Sequence, residues 1–143
     1  MRVVIDANTI LSGLFFRGNE RKLLLESLRG AVTLLYPEDV VDEVYEVVER
    51  EFLGVSEVIP AIELLETVLA AGELVRRESY AAEVPRWTQQ LRDRSDGPLF
   101  ACAVVVKADG IVSGDRDVLE ARREDIAVFR TTELLRRLVS SSG

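Results

Sequence analysis

Residues 1–13 read MRVVIDANTILSG. Val3-Val4-Ile5 is a short β-branched run, the composition of a buried strand. It stops abruptly at Asp6, with Asn8, Thr9 and Ser12 close behind. Two roles fit these polar residues. Asp6 or Asn8 can cap a helix beginning at Thr9, because a short side-chain oxygen satisfies the free amides of a first helical turn. Alternatively, Asp6 is a carboxylate held at the carboxyl end of a strand, the edge where open parallel sheets bind their ligands. The choice depends on whether the rest of the chain supplies partners for Asp6.

One partner lies at residues 111–117, IVSGDRD, which repeats the opening pattern of an apolar run, a small residue and then Asp. In a doubly wound sheet two such strands can be neighbours where the chain reverses direction, so that Asp6 and Asp115 face each other across one crevice. Gly114 allows the tight turn that presents Asp115. A helix N-cap at Asp115 with Asp117 in its first turn explains the same block more simply when it is taken alone.

The 143 residues suit one domain, expected over 1–139 with a frayed Ser-Ser-Ser-Gly tail over 140–143. The chain is 48% hydrophobic, enough for a sizeable core. No apolar run reaches the roughly 18 residues of a membrane helix, and the N-terminus lacks the order of a signal peptide. Cys102 is the single cysteine and there is no histidine, which disfavours a disulfide or a zinc site and points to the cytoplasm. Ser-His-Asp and Cys-His catalysis are likewise excluded. Asp and Glu total 25 against 18 Lys and Arg, a net charge of −7. This balance opposes non-specific nucleic-acid binding through a basic face, although bound cations can reverse the local sign.

Strand and helix signals alternate. Helices are expected at 19–29, from Pro37 to about Phe52, at 56–71, at 98–107, at 117–123 and at 132–138. Strands are expected at 3–5, 32–35, 73–76, 111–113 and 126–129. Gly30 and Gly72 follow two of the helices, and Gly110 is expected to end a third. Residues 77–92 are the least legible, with Tyr80, Trp87 and Leu91 as anchors to the body. The alternation implies βαβ units, and hence a three-layer α/β/α sandwich around a parallel sheet of four or five strands.

Two further acids can join Asp6 and Asp115. Asp93 and Asp96 precede the apolar helix at 98–107, at an entrance that points toward the crevice. Glu43 lies beside the stripe of Val40, Val44 and Val47 on the helix that follows Pro37. Carboxylates gathered in one cleft repel each other and raise their own pKa values unless a cation neutralises them. Hard oxygen ligands favour Mg²⁺ or Mn²⁺. A site of this kind suits phosphodiester hydrolysis, with no Ser, His or Cys nucleophile required.

The order IDANTILSG … DEVYEVV … DRSDGPLFACAVVVKADGIVSGDRDVL resembles the PIN-domain family, and in particular its VapC-like toxins from toxin–antitoxin pairs. The likeness covers nearly the whole chain. It implies a PIN-like α/β/α fold, Mg²⁺ or Mn²⁺ dependence and endonucleolytic cleavage of RNA. It also implies a homodimer or higher oligomer and a small antitoxin partner. Carried onto this sequence, it makes Asp6, Glu43, Asp96 and Asp115 the catalytic acids, with Asp6, Asp96, Asp115 and Asp117 as metal ligands. Asn8 and Ser113 would support them, Ser113 standing where the family more often has Thr. Gly97-Pro98 after Asp96 departs from the family's usual helix entrance and makes Asp93 an alternative ligand. Arg17, Arg21, Lys22 and Arg116 are the basic groups expected near the cleft mouth for RNA, with Arg92 and Arg94 also flanking acidic segments.

Rival functions are a catalytically silent PIN-like module that binds RNA or a protein, and a phosphatase of the haloacid dehalogenase type. The phosphatase wants Asp-x-Asp at the first strand end, where this chain has Asn8. Neither GxxxxGK[ST] nor GxGxxG is present to support a nucleotide-binding protein.

Overall fold

A computed structural model describes residues 1–121 and 125–142, of which 141 and 142 are described by their backbone alone. Five parallel strands form one sheet in the order β3-β2-β1-β4-β5. They are β1 (Arg2–Ile5), β2 (Thr33–Pro37), β3 (Glu73–Val75), β4 (Gly110–Val112) and β5 (Val128–Phe129). Val3, Val4, Ile5, Leu34, Leu35, Ile111 and Val112 are all fully buried, as strands covered on both faces require.

The helices are α1 (Ala7–Phe15), α2 (Asn19–Leu28), α3 (Glu38–Val47), α4 (Val58–Ala71), α5 (Arg77–Tyr80), α6 (Val84–Thr88), α7 (Gly97–Val105), α8 (Arg116–Glu120) and α9 (Thr131–Ser142). The apolar helix α7 lies across β1, β2 and β4, flanked by α5 and α6. Helices α1, α2, α4 and α9 pack on one another as a second helical layer. The result is the three-layer sandwich expected from the alternation of elements. Among the described residues no helix is long and apolar enough to cross a membrane.

The sheet order decides where chemistry can occur. The chain builds outward from β1 to β2 and β3, then returns to the other side of β1 with β4. β1 therefore pairs with β2 on one edge and with β4 on the other, with Ile5 opposite Val112. This is the topological switch point of a doubly wound sheet, where the loops leaving two adjacent strands diverge and leave a crevice.

Several boundaries differ from the sequence expectation. The first helix begins at Ala7 rather than Thr9. Pro37 closes β2, paired with Val75, and α3 starts one residue later. Val48–Phe52 continues α3 as a π-helical turn. Lys107, not Gly110, ends α7: it adopts the left-handed conformation at φ 54°, and the Ala108 amide donates back to the Ala103 carbonyl at 2.9 Å. Gly110 instead opens β4, where a Cβ would meet Phe129 Cε2 at 2.6 Å and the Ala127 carbonyl at 2.9 Å. The last helix passes Leu138 and runs to Ser142. Ser140 Oγ donates to the Arg136 carbonyl at 3.1 Å within it. The expected end of α8 at Arg123 lies outside the described residues.

Residues 77–92 form α5, a 3₁₀ turn at Ala81–Glu83 and α6. Tyr80, Trp87 and Leu91 are buried, as expected of anchors. The Trp87 ring stacks on Phe100 of α7 at 5.4 Å between centroids.

Candidate active site

Asp6 fills both roles that its sequence context allows. Its Oδ1 accepts the Thr9 amide at 2.9 Å and so caps α1. Its Oδ2 accepts a hydrogen bond from Ser113 Oγ, across the junction of β1 and β4. Ser113 is completely buried and its Oγ also accepts the Asp115 amide at 2.9 Å. Asp115 in turn caps α8, its Oδ1 accepting the Asp117 amide at 2.8 Å. The capping roles and the strand-end roles are thus one arrangement, because each strand leads directly into a helix.

A cleft of about 230 Å³ opens between these strand ends. Asp6, Asn8, Asp39, Glu43, Asp93, Asp96 and Asp115 line it, with Ser95 beside Asp93. Glu43 arrives from α3 and Asp96 from the 3₁₀ turn (Arg94–Asp96) that enters α7. Six acids separated by up to 109 positions of sequence are therefore brought to one crevice. Asp117 does not line it; its Oδ1 lies 3.8 Å from Arg92 Nη1.

Electrostatics follow from this crowding. Burial pushes the Asp6 carboxyl upward, and the charge of Asp115 adds to the shift, while the hydrogen bonds from Ser113 and Thr9 oppose it. Asp96 is pushed up to about 7, first by burial and then by Asp93, Asp115, Asp117 and Asp6. Glu43 is an exposed residue, yet burial of its carboxyl raises it, and Asp6 raises it further. Asp93 moves the other way, because Ser95 donates to its Oδ1 through both the amide (3.0 Å) and the hydroxyl (2.7 Å). Asp93 is occupied in capping its own turn, whereas the Asp96 side chain caps nothing.

The sequence reading missed two contributors. Asp39 lines the cleft one turn before Glu43 on α3, and the i, i+4 spacing was the available signal. Arg50, on the π-helical turn, is close enough to lower the Glu43 carboxyl. The basic groups expected near the cleft mouth do not line it. Arg21 donates to the Gly13 and Leu14 carbonyls at 2.9 and 2.8 Å, which caps the end of α1. Lys22 lines a separate groove with Leu135 and Arg136 of α9. Arg116 pairs with Glu120 at 3.0 Å, and Arg17 is exposed beyond α1.

The lining offers only oxygen donors and no histidine or thiol, the chemistry of a site for a hard divalent cation. The raised carboxyls point the same way: burial raises each of them first and neighbouring acids add to it, and a bound cation offsets both. Among the described residues no three acids already stand close enough to form a finished coordination shell.

The fold and this acidic switch-point cleft define a doubly wound α/β protein with strand-end carboxylates. The PIN domain family model matches residues 2–117, and the chain belongs to the PIN domain family. Among curated proteins none matches at a significant level. The fold is similar to that of VapBC2 from Rickettsia felis, solved bound to a DNA fragment from its promoter. That match has a TM-score of 0.65 and 14% identity over 91% of this chain and 98% of that one. It is also similar to PAE2754 from Pyrobaculum aerophilum, with a TM-score of 0.68 and 20% identity over 98% and 99% of the two chains.

Proposed function

We propose that this protein is a metal-dependent endoribonuclease, the toxin of a toxin–antitoxin pair. One observation carries this: Asp6 and Asp115, just beyond the ends of strands adjacent only in the fold, meet at the switch point with Glu43 and Asp96 at the same cleft. Membership of the PIN domain family supports a nuclease, and the likeness to VapBC2 supports an antitoxin partner.

Asp6, Asp96 and Asp115 would hold Mg²⁺ or Mn²⁺, with Asp117 behind Asp115 at the start of α8. The bound ion supplies charge neutralisation for the phosphodiester and an activated water. Ser113 orients the Asp6 carboxylate by donating to Oδ2, and Thr9 fixes Oδ1. Asn8, at the cleft wall, offers an amide to a phosphate oxygen. Glu43, raised by its surroundings, is suited to take a proton from the attacking water at its carboxylate. Asp96 rather than Asp93 belongs to the ligand set, since Asp93 Oδ1 is bound to Ser95. Arg50, whose charge acts on Glu43, would join Arg17, Arg21, Lys22 and Arg116 as a cation for RNA phosphates. Leu25, Leu28 and Ile59 are exposed apolar residues that would serve a homodimer or higher oligomer. The protein would act in the cytoplasm.

The test is cleavage of a fluorescent structured RNA in Mg²⁺, Mn²⁺ or EDTA, beside Asp6→Asn and Asp115→Asn. Metal-dependent cleavage abolished by both variants is expected. Cleavage that persists in EDTA or in the variants would sink the mechanism. No cleavage and no metal binding would favour the silent binding module.

A further inference from the structure

Asp39, like Asp6, has both carboxylate oxygens engaged by neighbours outside the cleft, but one of its partners is a guanidinium. Its Oδ1 accepts from Arg77 Nε at 2.6 Å, and its Oδ2 accepts from the Tyr80 hydroxyl at 2.7 Å. The Asp39 amide donates to that same hydroxyl at 3.1 Å. Arg77 also grips the two other acids at this end of α3: Nη2 reaches Asp42 Oδ2 at 2.6 Å, and its backbone amide donates to Glu38 Oε1 at 2.9 Å. Tyr80 is completely buried, so the arrangement is anchored in the core rather than tethered at a flexible surface.

A single exposed ion pair contributes little, but a forked guanidinium across several carboxylates fixes orientation as well as charge. The consequence here is a sorting of the acids of α3. Glu38, Asp39 and Asp42 are held toward α5, and Glu43 is left to the cleft. Asp39 and Glu43 are i and i+4 on one helix face, about 5–6 Å apart at Cβ by helical geometry. Released from Arg77 and Tyr80, Asp39 would be a further hard oxygen ligand one turn from Glu43.

We propose that Arg77 and Tyr80 form a clamp that positions the acidic cleft, keeping Asp39 out of the cation's ligand set and holding α3 so that Glu43 is its contribution. The clamp rests on the nuclease function proposed above, but it can fail separately.

The experiment is Mn²⁺ titration by calorimetry, paired with steady-state RNA cleavage, on wild type, Arg77→Met, Tyr80→Phe, Arg77→Met/Asp39→Asn and Arg76→Met. Arg77→Met is expected to bind Mn²⁺ roughly tenfold more tightly, as an added carboxylate ligand does. Its kcat should fall roughly tenfold, with KM for RNA little changed, because the reacting groups are misplaced. Tyr80→Phe alters no charge and should move both quantities in the same direction by less. Adding Asp39→Asn to Arg77→Met should return Mn²⁺ affinity to the wild-type value. Arg76→Met removes an equal charge next door and should change neither. Identical behaviour of Arg77→Met and Arg76→Met, with an unaltered Tyr80→Phe, would overturn the clamp alone. A wild-type protein that binds no Mn²⁺ would overturn the nuclease function, and the clamp with it.

Discussion

Ser113, at the end of β4, donates its buried hydroxyl to the Asp6 carboxylate at the end of β1. The same hydroxyl accepts the amide of Asp115 at 2.9 Å, so one oxygen connects the two acids that define the cleft. The contact exists because β4 pairs directly with β1, with Val112 opposite Ile5.

Ser113→Ala removes this connection and leaves a buried carboxylate oxygen and the Asp115 amide without their partner. The expected loss of stability is about 1–3 kcal/mol by chemical denaturation. Without the Ser113 donor the Asp6 carboxyl rises further, so the acid limb of the cleavage profile should move to higher pH. Ser113→Thr retains the hydroxyl and should stay closer to wild type. An unaltered acid limb in Ser113→Ala would exclude the connection from the mechanism.

The crowded acids also predict an unusual pH dependence of stability in the absence of cation. Asp96 titrates at about 7 in the fold against 3.8 for the ordinary side chain. Between these values the folded form binds a proton that the unfolded chain has released. Its stabilisation is full below about 4 and fades as pH rises through 7. Melting temperature measured in EDTA should therefore decline from pH 4 toward pH 7.5, and Asp96→Asn should flatten that decline. An Asp96→Asn curve parallel to wild type would exclude Asp96 as its source.

Divalent cation should reverse the effect. A ligand present at a hundred times its dissociation constant stabilises the fold that binds it by about 2.7 kcal/mol. At pH 7.5, Mn²⁺ should raise the melting temperature of wild type and leave that of Asp6→Asn in place. Equal shifts in both proteins would mean that the ion binds elsewhere.

Gly97 is a point of close approach between α7 and α6. A Cβ there would lie 2.5 Å from Thr88 Cγ2. Gly97→Ala should destabilise by roughly 1–3 kcal/mol and, by pushing the start of α7, displace Asp96 and lower cleavage. Thr88→Ser removes the opposing methyl and should restore much of both losses in the double variant. Failure of Thr88→Ser to rescue would place the cost in the backbone rather than in this contact.

That contact explains why the helix entrance departs from the family's pattern. Residues 77–92 form a helical layer packed on α7, anchored by Tyr80 and Trp87. A larger residue than glycine would not fit beneath it. Neither the packing of α6 nor the clamp on Asp39 has a signature in local sequence, because each joins elements through side chains that are ordinary in isolation. The basic groups expected near the cleft are likewise absent from its lining. Arg21 and Lys22 follow the first motif in sequence, but α2 carries one onto the end of α1 and the other toward α9.

By itself the sequence determined the elements and their class. β-branched runs ending in Asp, separated by helical stripes, admit little besides a parallel sheet between helical layers, because both faces of each strand must be covered. It also narrowed the donors available, since a chain without histidine, with one cysteine and rich in Asp and Glu offers chiefly oxygen. The tertiary structure alone decided which acids meet. The return of the chain to the free edge of β1 sets Asp115 beside Asp6, and the packing of α3 brings Asp39 and Glu43 to the same cleft while joining Asp39 to Arg77. Strand order and helix rotation are fixed by packing between elements far apart in sequence, so no local pattern of residues encodes them.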